Sequence, residues 1–326
     1  MRLNGMVKDL GHVPVMPLLG YPGLRLNNTT VRDNVQQPAT HLATARAIHE
    51  RFAVDGQFCI MDLSVEAGAL GLEVRFSDSD SPTVVEHPVH SLADLDRFNG
   101  RSVLADARAR GFVSTVQQMA AEFDTLVGAY AIGPFSLAGL LMGASQATIA
   151  TIEDPELLHA VLRMATAMVL PYIQALEDAG ADMIAILEPT GSLLSPRSFD
   201  LFCGQYVREI VASMRTPSIL HICGQTNHLL DRLVATGAQG LSLDSAVDLP
   251  DAARRVPKDV VLIGNLDTVR VMCEQSPAEV YASTAALLEG MAPFDNFILS
   301  SACDLPLQTP LENIDAMIQA AHDLAC

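Results

Sequence analysis

At 326 residues the chain is long enough for one large domain or two ordinary ones. Its formal net charge of −18 argues against non-specific binding to nucleic acid or to an anionic membrane. Small molecules or a protein partner are therefore the better candidates for a ligand. Six cysteines in a chain of this length do not make a disulfide framework, and we expect free thiols in a reducing compartment.

Neither the N-terminus nor the most apolar helical stretch predicts export or a membrane span. Residues 1–9 contain no apolar run of the kind that secretory signals carry. Residues 160–176 are interrupted by Arg163 and Pro171, and they are too short and too broken to cross a bilayer. The sequence therefore predicts a cytoplasmic protein that does not enter a membrane.

Eight short apolar segments bounded by turn residues predict β-strands. In chain order they span residues 12–19, 57–62, 125–132, 182–188, 218–223, 240–244, 260–264 and 296–301. Between them, apolar residues at helical spacing predict helices, among them residues 39–52, 155–179, 196–214, 227–235, 277–291 and 309–324. Strands alternating with helices, with no linker between them, predict a single α/β domain over residues 1–326, a parallel (β/α)8 TIM barrel.

Residues 71–90 depart from this alternation. Leu72, Val74 and Phe76 alternate with polar residues before a turn rich in Asp and Ser, and Val84 follows that turn. The pattern predicts a β-hairpin inserted after the second strand. Two interpretations stay open, a lid or rim over a site and a plain surface excursion.

Polar residues gather where the predicted strands end. They are Asp62, Glu188, His221, Cys223, Asp244, Asn265, Asp267 and Cys303. In a parallel barrel the carboxyl ends of the strands meet on one face, where barrel enzymes build their active sites. Core residues would be scattered along the strands instead, so the pattern indicates a functional site at this face.

His221 and Cys223 end the predicted fifth strand and indicate a metal site. Residues i and i+2 of a strand point to the same face, so one ion can bind both. Cys303, at the end of the last strand, completes a set of one imidazole and two thiolates that suits Zn²⁺ and leaves a coordination position for a substrate. The alternative is that all three are packing or hydrogen-bonded residues, because His-x-Cys alone is a weak signal.

The mouth of the first strand offers candidate substrate-binding groups. Tyr21, Arg25 and Asn27 follow Gly20 there. Arg25 is the best candidate of the three for an anionic tail such as a sulfonate or a carboxylate, because its guanidinium matches that geometry.

Other residues at the strand ends have two interpretations each. Asp62 is placed either to bind substrate or orient a ligand histidine, or to cap a helix. Asn265 is either a substrate contact or, like Asp244 and Asp267, a loop-forming residue. The cysteines outside the motif are interpreted as packing or surface residues: Cys59, Cys203, Cys273 and Cys326.

Four segments resemble the methylcobalamin:coenzyme M methyltransferase family, a branch of the uroporphyrinogen decarboxylase superfamily. They are Met61-Asp62-Leu63-Ser64-Val65-Glu66-Ala67, Ile132-Gly133-Pro134-Phe135-Ser136-Leu137-Ala138-Gly139, Leu220-His221-Ile222-Cys223-Gly224, and Ala302-Cys303-Asp304 with Thr309-Pro310-Leu311-Glu312-Asn313. The His-x-Cys with a distant Cys is the specific element, and the others mark the superfamily.

The resemblance implies Zn²⁺ held by His221, Cys223 and Cys303. It further implies transfer of a methyl group from a methylated corrinoid such as methylcobalamin, usually borne by a separate corrinoid protein, to a thiol bound on the zinc. Glu188 would supply a fourth ligand or contact the substrate, or else be a hydrogen-bonded carboxylate of the rim. Zinc coordination deprotonates a thiol that is otherwise mostly protonated at neutral pH, which the chemistry requires.

Two features bear on the substrates. The chain contains no Asp-x-His-x-x-Gly motif for anchoring cobalamin, so we expect the corrinoid on a partner. Gly68 stands where the family often carries a second carboxylate, which leaves the methyl donor and acceptor open and coenzyme M with them.

Three other functions are weighed against this one. A metal-free decarboxylation of a porphyrinogen relies on a basic N-terminal segment, and residues 13–22 lack one. A related corrinoid methyltransferase would take the methyl group from a methylated substrate such as an ether, amine or halide. A non-catalytic protein would use the barrel mouth to dock a corrinoid protein or sequester a thiol. The direction of transfer is not encoded in these residues.

Overall fold

Seven parallel strands form the central sheet of the protein. The computed structural model describes residues 2–324. In chain order its strands are β1 (Gly56–Phe58), β2 (Val74–Arg75), β3 (Thr83–Val84), β4 (Leu126–Ile132), β5 (Met183–Leu187), β6 (Ser218–Ile222), β7 (Gly240–Leu243), β8 (Val261–Leu266) and β9 (Phe297–Ser301). Strands β2 and β3 form a separate hairpin, and the other seven form the central sheet. The sheet order is β1-β4-β5-β6-β7-β8-β9, with every pair parallel. The strands are buried almost throughout, as expected for a sheet covered on both faces. The predicted α/β barrel is confirmed.

The predicted first strand is wrong as a regular strand, although its residues occupy the eighth position of the barrel. Only Val15 makes a β-bridge there, to Leu299 of β9. The Met16 amide donates to the Leu299 carbonyl, and on the other side the Asp55 amide donates to the Val15 carbonyl. Pro14 and Pro17 have no N–H, so the ladder cannot extend in either direction. The segment links β9 to the chain entering β1.

Helices cover the sheet between the strands. They are α1 (Leu3–Leu10), α2 (Gly20–Gly23), α3 (Val31–Gln36), α4 (Pro38–Arg51), α5 (Val65–Ala69), α6 (Ala107–Glu122), α7 (Pro134–Met142), α8 (Ala144–Glu153), α9 (Pro155–Asp178), α10 (Pro196–Phe199), α11 (Gln205–Ser213), α12 (Leu230–Val234), α13 (Leu249–Arg255), α14 (Pro277–Met291) and α15 (Leu311–Leu324). Short 3-10 turns occupy Leu92–Phe98, Val103–Ala105, Pro189–Leu193 and Asn227–Leu229, and a π turn at Asp200–Gly204 separates α10 from α11. The helix predicted over residues 196–214 is therefore interrupted.

Helix α6 was not predicted from the sequence. Its buried face includes Ala109, Gly111 and Thr115, small residues that give a weak apolar periodicity. Its start is nevertheless marked, because the Asp106 side chain accepts a hydrogen bond from the Ala109 amide.

The predicted hairpin is present and lies at the barrel rim. β2 and β3 pair antiparallel through Val74 with Val84 and Arg75 with Thr83. The turn between them is tied to the first segment of the barrel: the Tyr21 hydroxyl donates to Ser81 Oγ at 2.8 Å.

Helix α9 is the one helix of residues 2–324 that by itself has the length and mean hydropathy of a membrane span. Half of its most apolar window is buried inside the protein. The helix packs against α6, α7, α8 and α11, which is the arrangement of a core helix. The consecutive helices α7 and α8 reach span length only as a pair bent by 102°.

A buried ion pair fastens α6 to the loop after β1. Arg108 Nη1 lies 2.8 Å from Asp62 Oδ2, and the Asp62 side chain is wholly buried. Asp62 Oδ1 accepts from the Ser64 amide and hydroxyl, so both carboxylate oxygens have partners. Removing the guanidinium would leave an unpaired charge in the interior.

We therefore expect Arg108→Ala to lower the free energy of unfolding by about 3–5 kcal/mol, measured by urea denaturation. Arg254→Ala is the matched control, since its partner Asp251 lies 3.8 Å away and both side chains are largely exposed. In that control the free energy of unfolding should fall by less than about 1 kcal/mol. Equal losses in the two variants would contradict the proposed role of the buried pair.

Candidate metal centre

His221 and Cys223 stand at the carboxyl end of β6. His221 is buried and lies in register between Leu187 of β5 and Ser242 of β7, near the middle of the sheet. Cys223 directly follows the strand and is only partly buried. The extended backbone projects both side chains to the same side, as their spacing predicts.

Cys303 comes from the other end of the sheet and meets them. It follows β9, two strands beyond β7 in the sheet order. The Cys223 and Cys303 sulfurs are 3.3 Å apart, and His221 Nε2 lies 3.2 Å from the first and 3.6 Å from the second. A disulfide would need about 2.05 Å, so these are two thiols.

The separations match the ligand sphere of a tetrahedral metal. With Zn–S near 2.3 Å and Zn–N near 2.0 Å, neighbouring ligand atoms stand roughly 3.4–3.8 Å apart. The three donor atoms here fall within a few tenths of an ångström of that range. Among residues 2–324, this is the one group of three or more His, Cys, Asp or Glu side chains that converges closely enough to hold an ion.

Ser242 orients the imidazole of His221. Its Oγ lies 2.9 Å from His221 Nδ1, and both residues are buried. If Nδ1 donates to this hydroxyl, the lone pair of Nε2 is directed at the two sulfurs. An outer hydrogen bond of this kind fixes the tautomer and the ring plane of a ligand histidine.

Asp244 holds the turn that follows Cys223. Its Oδ2 accepts from the Gly224 amide at 2.9 Å, and its Oδ1 accepts from the Ala246 amide. Gly224 has φ +88°, a left-handed conformation that a larger residue would resist. The carboxylate predicted as a loop former therefore also sets the direction of the Cys223 side chain.

The two thiols divide their protons unequally. A hydrogen bond from Cys223, together with His221, lowers the pKa of the Cys303 thiol to about 4 against the opposing effect of burial. The same hydrogen bond, together with burial, raises the pKa of the Cys223 thiol. A divalent cation held by both sulfurs would favour the thiolate form of each.

Glu188 directly follows the neighbouring strand β5 but lies outside this cluster. Its carboxylate is fully buried and accepts hydrogen bonds from the Phe135 amide and from the Ser136 amide and hydroxyl at the start of α7. Burial raises the pKa of Glu188 to about 7, against the lowering effect of those donors. A Cβ on Gly133 would stand 2.2 Å from Glu188 Cδ, so only glycine admits the carboxylate here.

The other predicted site residues contact protein groups around the mouth of the barrel. Asp62 is committed to Arg108 and Ser64, as described above. Tyr21 is buried and donates to Ser81, whereas Arg25 is exposed and donates from Nη1 to the Thr309 carbonyl at 2.8 Å.

Asn265 is buried and supports the backbone of Asp244, the residue that holds the turn after Cys223. Its Nδ2 donates to the carbonyls of Asp244 and Val247, at 2.9 and 2.7 Å. Asn27 donates to Thr44. These contacts give Asn265 a structural part in the site, through the backbone of Asp244.

Some residues of the mouth were missed from the sequence. Ser242 carries no motif, and only the strand register shows that it faces His221. Glu66 is fully buried, accepts from the Ile132 amide at 2.8 Å, and has its pKa raised to about 7 by burial. Asp304 directly follows Cys303 in the sequence, and its position next to a predicted metal ligand was the signal that could have indicated it. Cys59 and Cys203 are buried and Cys273 is partly buried, whereas Cys326 lies outside the described residues.

Comparison with known proteins assigns the chain to a family. The profile of the family described as Uroporphyrinogen decarboxylase (URO-D) matches residues 7–324. A methylcobamide:CoM methyltransferase, MtbA, of Methanosarcina mazei is 30% identical over 272 residues, covering 80% of this chain and 78% of the relative. A uroporphyrinogen decarboxylase of Vibrio campbellii is 26% identical over 292 residues, covering 84% of this chain and 80% of the relative.

A solved structure of similar fold is a methyltransferase from Methanosarcina mazei. It superposes with a TM-score of 0.90 over 100% of this chain and 98% of the other, at 24% identity. At that identity the likeness establishes the shared fold.

The fit of Glu188 against Gly133 can be tested directly. We expect Gly133→Ala to lower the free energy of unfolding by about 1–3 kcal/mol, because the methyl group overlaps a buried carboxylate that cannot move without losing its helix contacts. Gly139→Ala, inside the helix α7 that Gly133 precedes, is the control, since the nearest neighbours of its added methyl group stand at 3.3 Å. Chemical denaturation of both variants measures the difference, and a Gly133→Ala protein as stable as the control would refute the packing argument.

Proposed function

The chain belongs to the uroporphyrinogen decarboxylase family and, within it, to the branch of the methylcobamide:coenzyme M methyltransferases, and from this premise we propose that it transfers a methyl group between a corrinoid and a thiol activated on zinc. His221, Cys223 and Cys303 would hold the zinc ion. The observation that carries the proposal is the convergence of these three donor atoms at the barrel mouth.

The donor set suits this chemistry better than it suits hydrolysis. Two cysteinates and one neutral imidazole would cancel the charge of Zn²⁺, so an incoming thiolate would keep its electron density. Zinc bound here would supply the Lewis acidity that removes the proton of the acceptor thiol. The acceptor sulfur would take the methyl group, and the corrinoid cobalt would keep the electron pair of the cobalt–carbon bond.

The protein itself contributes position and charge. Ser242 fixes the plane of His221, and Asp244 fixes the turn at Cys223. Glu188 has both oxygens engaged at the start of α7, so its contacts favour a structural role over that of a fourth ligand. We therefore propose that the fourth position belongs to the substrate.

The corrinoid would arrive on a partner protein that docks at the rim, in the cytoplasm. Residues 2–324 would act as one catalytic domain, which the family match over residues 7–324 and the continuous sheet support. Coenzyme M, named as acceptor in the relatives, is the first thiol to test. Tyr21 and Arg25 stay candidate substrate contacts, whereas Asp62 has both oxygens engaged by Arg108 and Ser64, and the direction of transfer is open to the same assay.

We expect the purified protein to bind about one zinc per chain and to demethylate methylcobalamin when supplied with a thiol. His221→Ala, Cys223→Ala and Cys303→Ala should each abolish tight zinc binding and the reaction with it. Elemental analysis and the loss of the methyl-Co(III) absorbance measure the two effects.

Cys273→Ala is the control for loss of a thiol, because that cysteine is also partly buried but contacts Thr309. It should keep both zinc and activity. A zinc-replete protein that is inert towards every thiol would favour the docking protein, and a metal-free protein that decarboxylates a porphyrinogen would favour the decarboxylase.

Ser242 provides a subtler test of the same site. We expect Ser242→Ala to weaken zinc binding about 10–100-fold, because the imidazole loses the hydrogen bond that orients it. Competition with a chromophoric chelator measures the affinity. Ser245→Ala is the control, since its exposed hydroxyl makes only contacts of 3.4 Å to Asp244 and Asp267. Equal affinities of the two variants would exclude the orienting role.

A further inference from the structure

The two cysteines of the metal centre lie close enough for oxidation to join them. Their sulfurs are 3.3 Å apart, and a disulfide needs about 2.05 Å, so bond formation takes an approach of roughly 1.2 Å shared between two side chains. Cys223 and Cys303 each stand just beyond the end of a strand, outside the hydrogen-bonded ladder. The approach therefore does not break any strand pairing.

The pair is accessible at the barrel mouth, and the other described cysteines offer no equivalent. Both residues of the pair are only partly buried, whereas Cys59 and Cys203 are buried. Cys273 is partly buried, but its sulfur contacts the Thr309 hydroxyl at 3.1 Å. Within residues 2–324, the pair makes the one contact between two thiols. A small oxidant can therefore reach the pair, and each sulfur has a second sulfur positioned to react with it.

A disulfide between these two residues removes the metal site. Zinc bound here would have three protein donors, and the disulfide withdraws both thiolates from that set. Of the cluster only His221 then remains, because no further His, Cys, Asp or Glu side chain of residues 2–324 belongs to it. A single imidazole does not hold Zn²⁺ tightly, so the disulfide and the bound metal exclude one another.

We propose that Cys223 and Cys303 form a redox switch, in which a peroxide joins the pair as a disulfide, releases zinc and stops methyl transfer until a dithiol reduces the pair again. The inference rests on the metal centre of the proposed function, and it adds the regulation of that centre. In a reducing compartment, thiol pairs that form transient disulfides typically act as redox sensors or as catalysts.

Hydrogen peroxide balances the oxidation. One sulfur attacks a peroxide oxygen, so that an S–O bond forms, the O–O bond breaks and the first water leaves. The second sulfur attacks the resulting sulfenic acid, so that the S–S bond forms, the S–O bond breaks and the second water leaves. The sulfurs lose two electrons, which the peroxide gains, and solvent supplies two protons when the sulfurs start as metal-bound thiolates. A dithiol reverses the change by exchange and is itself oxidised to a disulfide.

Titration of the zinc-loaded protein with hydrogen peroxide, without corrinoid or substrate thiol, tests the switch. We expect about two thiols to be lost for each zinc released, measured with a thiol-reactive dye after denaturation and with a chromophoric chelator. Mass spectrometry of the digested protein should show a peptide pair that joins Cys223 to Cys303. Dithiothreitol and added zinc should restore both the thiols and the metal content.

Three variants assign the reacting thiols. Cys273→Ala is the matched control, since it removes a partly buried thiol outside the pair and should change neither zinc release nor the linked peptides. Cys223→Ser and Cys303→Ser each remove one partner, so the sulfenic acid of the other has no neighbouring thiol to react with. We expect dimedone to label that sulfenic acid in each serine variant and to give no adduct at either position in the wild type. This readout does not depend on bound zinc.

The outcomes separate this inference from the proposed function. Zinc release without linked peptides would overturn the switch, because sulfinic and sulfonic acids are not reversed by a dithiol. A disulfide from either cysteine to a different partner would overturn it too, as would zinc and thiols that survive stoichiometric peroxide. Protein that shows the switch but transfers no methyl group refutes the proposed function alone. Protein that transfers methyl groups without forming the disulfide refutes this inference alone.

Discussion

The site depends on the curvature of a parallel sheet. β6 and β9 are not neighbours, since β7 and β8 separate them, yet the sulfurs of Cys223 and Cys303 are 3.3 Å apart. Parallel strands all end on one face, and only a sheet that curls towards closure brings the ends of non-adjacent strands together. The segment around Val15, which bonds to β9 on one side and to the chain entering β1 on the other, holds that curvature. The convergence of the two cysteine sulfurs therefore depends on closure of the barrel.

Three carboxylates with hydrogen-bonded oxygens, two of them buried, hold the mouth in place. Asp62 fastens α6, Glu188 fastens the start of α7, and Asp244 fastens the turn after Cys223. Each has donors for its oxygens, which is the condition under which a buried acid is tolerated. Asp304 is the exception among these carboxylates, since one of its oxygens is shielded from solvent without a donor. The three carboxylates with paired oxygens therefore build the frame of the mouth.

The sequence predicted the parts of the structure that follow from local pattern. Alternation of apolar strands and helices predicted the barrel, and the i, i+2 spacing of His221 and Cys223 predicted that the two side chains project together. The regular strand at residues 12–19 was wrong because Pro14 and Pro17 remove ladder donors, although the apolar pattern itself is strand-like. The contacts of Glu188 with α7 and of Ser242 with His221 are set by tertiary packing and strand register, so no spacing in the sequence reveals them.

The chemistry of the site follows from how charge is distributed among its ligands. A site built from three neutral imidazoles leaves the metal with its full positive charge, which favours acidifying water. Here the hydrogen bond between the two thiols lowers the pKa of Cys303 and raises that of Cys223, and a divalent cation held by both sulfurs would be neutralised by two thiolates. A substrate thiolate held at such a centre would give it net negative charge, which would keep the substrate sulfur nucleophilic.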